Sequence, residues 1–161
     1  MDVSSEITVM GRNGEGIKED AARAVQKFFE SSTVFMHNAQ HMVTTVIAQA
    51  DGSKIHRLNI HDHGNSQGGW FGKDYITTDN FPAYAPYLAK LFPYFTNNAK
   101  IVLGHCEIGQ NKDLLRMFAL TFGKTVYAGT GLDAGTPYNF NTGDYVGCRP
   151  SGMIFQEMRR P

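Results

Sequence analysis

Cysteine is scarce in this chain: its 161 residues include two, Cys106 and Cys148, too few to staple a small secreted domain and compatible with a reducing compartment. An excess of either charge is also missing. Fifteen Lys and Arg stand against fifteen Asp and Glu, and charged residues make up only 19%, which excludes a polybasic nucleic-acid binder and an acidic disordered tail. No run of about 18 apolar residues occurs, and the opening MDVSSEITVMGRNGEG lacks the basic stretch and apolar core of a signal peptide. The chain is therefore expected to be soluble, to have no membrane partner, and to be cytoplasmic or exported without a cleavable signal. No repeat, linker or low-complexity tract divides it, and its length suits a single domain over 1–161.

What is present is an alternation of apolar strands and amphipathic helices. ITVMG at 7–11 ends in a Gly-rich turn, and KEDAARAVQKFFESS at 18–32 spaces Ala21, Ala22, Val25, Phe28 and Phe29 as a helix does. TVFMH at 33–37 predicts a second strand, and Asn38 is placed to cap a helix through residues 40–50 despite the β-branched Val43, Thr44, Thr45, Val46 and Ile47. IHRLNIH at 55–61 and AKIVLGHC at 99–106 predict a third and a fourth strand, separated by a Gly-rich loop and by YLAKLFPYF, a helical face bent at Pro93. Residues 107–123 predict a helix stopped by Gly123, and KTVYAG a fifth strand. Residues 129–152 read as a long functional loop or short hairpin, with MIFQEM as a terminal strand. This order predicts an α/β fold: a three-layer αβα sandwich whose mostly parallel central sheet has about five to six strands.

In open α/β sheets ligands bind beyond the carboxyl ends of the strands. The third strand ends in His61-Asp62-His63-Gly64 and the fourth in His105-Cys106, which sets an imidazole and a thiol at one sheet edge. A thiol of ordinary pKa near ~8.5 is mostly protonated at neutral pH, so a nucleophilic Cys106 needs a base such as His63 and a nearby helix N-terminus, expected here close to Asn111. Gly64 lets its amide approach a substrate carbonyl, and the Gly64 and Cys106 amides together make a candidate oxyanion hole.

LNIHDHGN followed by KIVLGHCEIGQ resembles the paired His-Gly and Cys signatures of caspase-like (clan CD) cysteine peptidases. More closely, it resembles a caspase-like bacterial domain of uncertain function found near the start of large repeat-containing secreted or surface proteins. The resemblance covers roughly residues 7–130 in the order of elements. It implies His63 as catalytic histidine, Gly64 as oxyanion-side glycine and Cys106 as nucleophile of a cysteine endopeptidase or self-processing domain. The substrate class it implies is peptide or protein, including the chain itself or its parent polypeptide, with a homodimer through an exposed edge strand as a further partner. His61 and His105 have no fixed role in that family and the caspase pentapeptide around the cysteine is missing, so a preference for aspartate does not transfer.

Other readings compete. A non-catalytic caspase-like binding module would keep His63 and Cys106 as remnants. A Zn-dependent hydrolase would use His61, His63 and His105 as metal ligands, although His105 and Cys106 would face opposite sides of a regular strand. Nucleotide binding is rejected because GGWFG lacks the Lys-Ser/Thr of a phosphate loop, and no cofactor is expected. Trp70, Phe71 and Tyr75 predict a hairpin packed on the site wall, with Trp70 as a substrate-binding candidate. Asp133 and Asp144, in the loop after the fifth strand where caspase-like peptidases build their substrate pocket, are candidates for selecting a basic side chain. Cys148, with no companion, reads as structural or merely exposed.

Overall fold

Strand β1 (Ser4–Gly11) is the first apolar run, and β2 (Thr33–Met36) lies parallel to it. The computed structural model describes residues 4–11, 33–132, 142–157 and 161, so the helix expected at 18–32 lies outside the described residues, as does the loop at 133–141. Helix α1 (Ala39–Ala50) starts where the Asn38 side chain accepts the His41 amide at 2.7 Å. Its β-branched middle is tolerated because Met42, Val43, Val46 and Ala50 are buried, so packing overrides propensity. Strand β3 (Lys54–His61) then runs parallel to β1.

Three short strands follow, β4 (Gly64–Asn65), β5 (Gly68–Phe71) and β6 (Asp74–Thr77), forming a separate antiparallel sheet in that order. Helix α2 (Phe81–Leu88) begins earlier than the sequence pattern suggests, because a proline is tolerated in a helix's first turn, and a 3-10 turn over Ala89–Tyr94 completes it. Strand β7 (Phe95–Gly104) is parallel to β3. Helix α3 (Lys112–Phe122), capped by Asn111 and stopped by Gly123 at φ 65, leads to β8 (Thr125–Gly129), parallel to β7. The final hairpin of β9 (Tyr145–Cys148) and β10 (Ile154–Glu157) is antiparallel and extends the sheet.

The main sheet thus has seven strands in the order β10-β9-β8-β7-β3-β1-β2, more than the five to six expected. The additional strand, β9, is four residues long and lies in the segment expected to be a long loop or short hairpin, where a hairpin forms with β10. The α/β class and the mostly parallel sheet flanked by helices are as the sequence implies. Register aligns Ile7, Leu58, Ile101, Val126 and Cys148 in one row across five strands, and Val9, Ile60, Leu103, Ala128 and Val146 in the next. Helices α1, α2 and α3 belong to the core that covers these rows, with Phe118 and Phe122 from α3 fully buried in it. The opposite face is more polar: Asn59 donates to Glu6 at 2.9 Å and to Thr8 at 3.3 Å. Among the described residues no helix is long and apolar enough to cross a membrane.

Candidate active site

β3 and β7 are neighbours, and His61 pairs with Gly104 at their carboxyl ends. The segments that leave these ends, Asp62-His63-Gly64 and His105-Cys106, therefore start at the same level of the sheet. They meet at Gly64: a methyl group there would lie 2.8 Å from His105 Cβ and 3.1 Å from the Cys106 carbonyl oxygen. Only glycine lets the two backbones come this close. His63 is exposed and Cys106 half-buried.

The arrangement is held by β5. The Trp70 amide donates to the His63 carbonyl at 2.8 Å, while the Trp70 carbonyl lies 2.8 Å from His105 Nε2. A carbonyl only accepts, so His105 carries its proton on Nε2. Its Nδ1 is left without a hydrogen-bond partner among the described residues. Complete burial lowers the His105 pKa from 6.5 to about 4, and the ring packs 4.9 Å from Phe71. His105 is thus a neutral wedge under the His63 segment, a role with no counterpart in the sequence reading.

Asp62 is the second anchor. One carboxylate oxygen accepts the His63 amide at 2.7 Å and the other the Gly72 amide at 2.8 Å. The carboxylate fills the space beside Gly11 that a Cβ would occupy, so β1, the His63 segment and the β5–β6 turn converge on one side chain. Burial pushes the Asp62 pKa up, partly offset by those amides and by His63. Glu107, immediately after Cys106, takes φ 58 and donates its amide to the Gly131 carbonyl at 2.8 Å. Left-handed backbone at a non-glycine residue costs on the order of 1 kcal/mol and is tolerated where surrounding contacts impose it.

The three histidines of the metal reading do not converge. His61 lies on the more polar face, its ring over Gly104 in the space of the missing Cβ, whereas His105 turns to the core side against Phe71. Among the described residues no group of three His, Cys, Asp or Glu is positioned to hold a metal ion. At the strand ends the alternation of faces sends His61 and His105 to opposite sides of the sheet. Cys148 lies in the buried row of β9, where burial raises its pKa, and so is structural and not exposed.

Trp70 lies on the β5–β6 hairpin the sequence suggests, 38% exposed, its ring centroid 5.0 Å from that of Tyr75. Asp144 is exposed just before β9, its carbonyl accepting the Thr130 amide at 2.9 Å, which puts it beside the carboxyl end of β8. Asp133 lies outside the described residues. A depression of about 240 Å³ lined by Asn98, Lys100, Lys124 and Thr125 is at the opposite, amino end of β7 and β8.

No protein-family model matches the chain, and no curated protein matches it. Among solved structures the chain is similar to a secreted C11 cysteine protease from Bacteroides thetaiotaomicron, determined in complex with an irreversible peptide inhibitor. The TM-score is 0.48 and the sequence identity 7%, over 85% of this chain and 52% of that one, so this chain spans about half of that structure's length.

Proposed function

We propose that the chain is a cysteine endopeptidase or self-processing domain, with Cys106 as nucleophile and His63 as general acid and base. The observation that carries this reading is the seating of Gly64 on the His105-Cys106 backbone at the ends of two adjacent parallel strands. The likeness of the two motifs to the His-Gly and Cys signatures of caspase-like peptidases supplies the substrate class, a peptide or protein. His63 takes the thiol proton of Cys106, and the thiolate attacks the peptide carbonyl while the Gly64 and Cys106 amides receive the developing oxyanion. Collapse of the tetrahedral adduct breaks the C–N bond, and His63 returns the proton to the leaving amine. Water, deprotonated by His63, then attacks the thioester, and the acid and the thiol are released. Asp144 at the end of β8 offers a carboxylate to a basic side chain on the acyl half of the substrate, and Asp133 is a second candidate for that role.

Iodoacetamide labelling followed by peptide mapping, together with a peptide-cleavage assay, tests this. Labelling at Cys106 should abolish cleavage, and Cys106→Ala should do the same. Cleavage that survives Cys106→Ala but not a chelator overturns the proposal, and absence of labelling by peptidyl electrophiles across neutral pH favours a binding module.

A further inference from the structure

The small sheet orders more than Gly64. β4 pairs Gly64 with Gly69 and Asn65 with Gly68. One residue back along the same ladder His63 stands opposite Trp70, and the Trp70 amide bonded to the His63 carbonyl at 2.8 Å closes that rung. β6 continues the rung by pairing Trp70 with Tyr75. Side chains on one rung share a face, and faces alternate along each strand. The rungs on either side carry Ile76 and Phe71, both buried, so His63, Trp70 and Tyr75 occupy the outer face together.

The aromatic pair is ordered before any ligand arrives. Its rings lie 5.0 Å apart at 36°, and the Tyr75 hydroxyl donates to Asn65 Oδ1 at 2.8 Å. Gly64, by contrast, meets the Cys106 backbone from the inner face. His63 thus heads the rung that continues through Trp70 and Tyr75, next in the chain to the glycine that meets the Cys106 backbone.

We infer that Trp70 and Tyr75 form the subsite for the leaving half of the substrate and favour an apolar or aromatic side chain in the first two residues after the cleaved bond. This rests on the assignment of Cys106 and His63 above. To protonate the leaving nitrogen, His63 must reach hydrogen-bond distance of it, so the chain beyond that nitrogen passes beside the imidazole and onto its neighbours in the rung. Those neighbours are two aromatic faces, which reward an apolar or aromatic partner.

The test is digestion of a mixture of tetradecapeptides that presents every residue pair, with cut sites identified by mass spectrometry and Cys106→Ala as the blank. Cys106-dependent cuts should be enriched about fivefold in Phe, Tyr, Trp, Leu or Met after the cut, the scale of one aromatic contact. Trp70→Ala should remove that enrichment and leave the acyl-side profile as in the parent, and Trp70→Phe, which keeps an aromatic in place, should retain most of it. Tyr75→Ala should weaken it, and thermal melts of each variant establish that the fold is intact. An unchanged leaving-side profile in Trp70→Ala overturns the inference, as does a change confined to the acyl side or an enrichment of Lys and Arg. Cys106-dependent cutting without leaving-side preference overturns the subsite alone, whereas no Cys106-dependent cutting overturns the peptidase reading with it.

Discussion

His105 and Asp62 both brace the His63 segment, and burial disfavours the charged form of each. His105 is fully buried and neutral, with a pKa of about 4 against an ordinary 6.5. The unfolded chain takes up a proton below its ordinary value while the folded chain resists until near the lowered one, so this contribution to stability is complete above 6.5 and is lost as the pH falls towards 4. Near pH 4.5 the loss amounts to about 2 to 3 kcal/mol. Urea melts at neutral pH and near pH 4.5 should show that difference in the parent protein. It should be largely absent in His105→Gln, whose amide keeps a donor for the Trp70 carbonyl; equal acid sensitivity in both would refute the assignment. Asp62→Ala strips the acceptor from two amides, His63 and Gly72, and frees the His63 segment. Peptide cleavage should fall about 100-fold, the usual cost of a small misplacement of a catalytic group, with Asp62→Asn closer to the parent because one acceptor oxygen remains. Retention of full cleavage by Asp62→Ala would refute the positioning role. Neither residue's function was legible in the sequence. His63 and Cys106 could be picked out as candidates because strand ends are where α/β sheets place chemistry, but the partners of Asp62 and His105 come from positions 10 and 35 residues away in the chain.

At the scale of elements, the hairpin of β5 and β6 is the part that ties the site together. Phe71 plugs it into the core, its ring 5.6 Å from Phe118 and 4.9 Å from His105, while Trp70 on the same strand bonds both site segments through its backbone. Phe71→Ala should cost about 3 to 5 kcal/mol in chemical denaturation, since it removes a fully buried ring and leaves a cavity under the hairpin. Gly64→Ala acts differently. Its Cβ would stand 2.8 Å from His105 Cβ, so β4 must move outward, and cleavage should fall about 100-fold while circular dichroism stays that of the parent. Full activity in Gly64→Ala would show that the close approach is not needed. The hairpin itself could be anticipated from its aromatics, and β1, β3, β7 and β8 from their apolar runs, because strands buried inside a sheet are written as continuous hydrophobic stretches. The start of α2 was hidden by Pro82, which a helix accepts in its first turn, and by Pro86 inside it, and β9 was left open between loop and short hairpin by its length of four residues.

At the scale of the whole molecule, the described residues divide about the sheet into an apolar side, covered by α1, α2 and α3, and a side where Asn59 and Thr8 are buried in a mutual hydrogen bond beside a smaller cluster of Val102, Tyr127 and Tyr145. Period-two alternation makes each strand contribute to both, which the sequence shows as pattern without saying which side a helix will cover. The two cysteines sample the extremes of this division. Cys148 closes the row of Ile7, Leu58, Ile101 and Val126 with no exposed surface, whereas Cys106 sits beyond the strand ends and is half-buried. A thiol in the first position can be alkylated only when β9 separates from its neighbours, and burial also disfavours its thiolate. Titration of thiols should therefore find one reactive group in the native protein and two in denaturant. In a urea series the rate at Cys148 should rise along the same curve as the loss of ellipticity, since its row is shared by five strands and opens with the sheet. A Cys148 rate that rises well before the ellipticity falls would show instead that the β9–β10 hairpin opens as a unit of its own at the sheet's edge, and the row would then be cooperative only across β1, β3, β7 and β8.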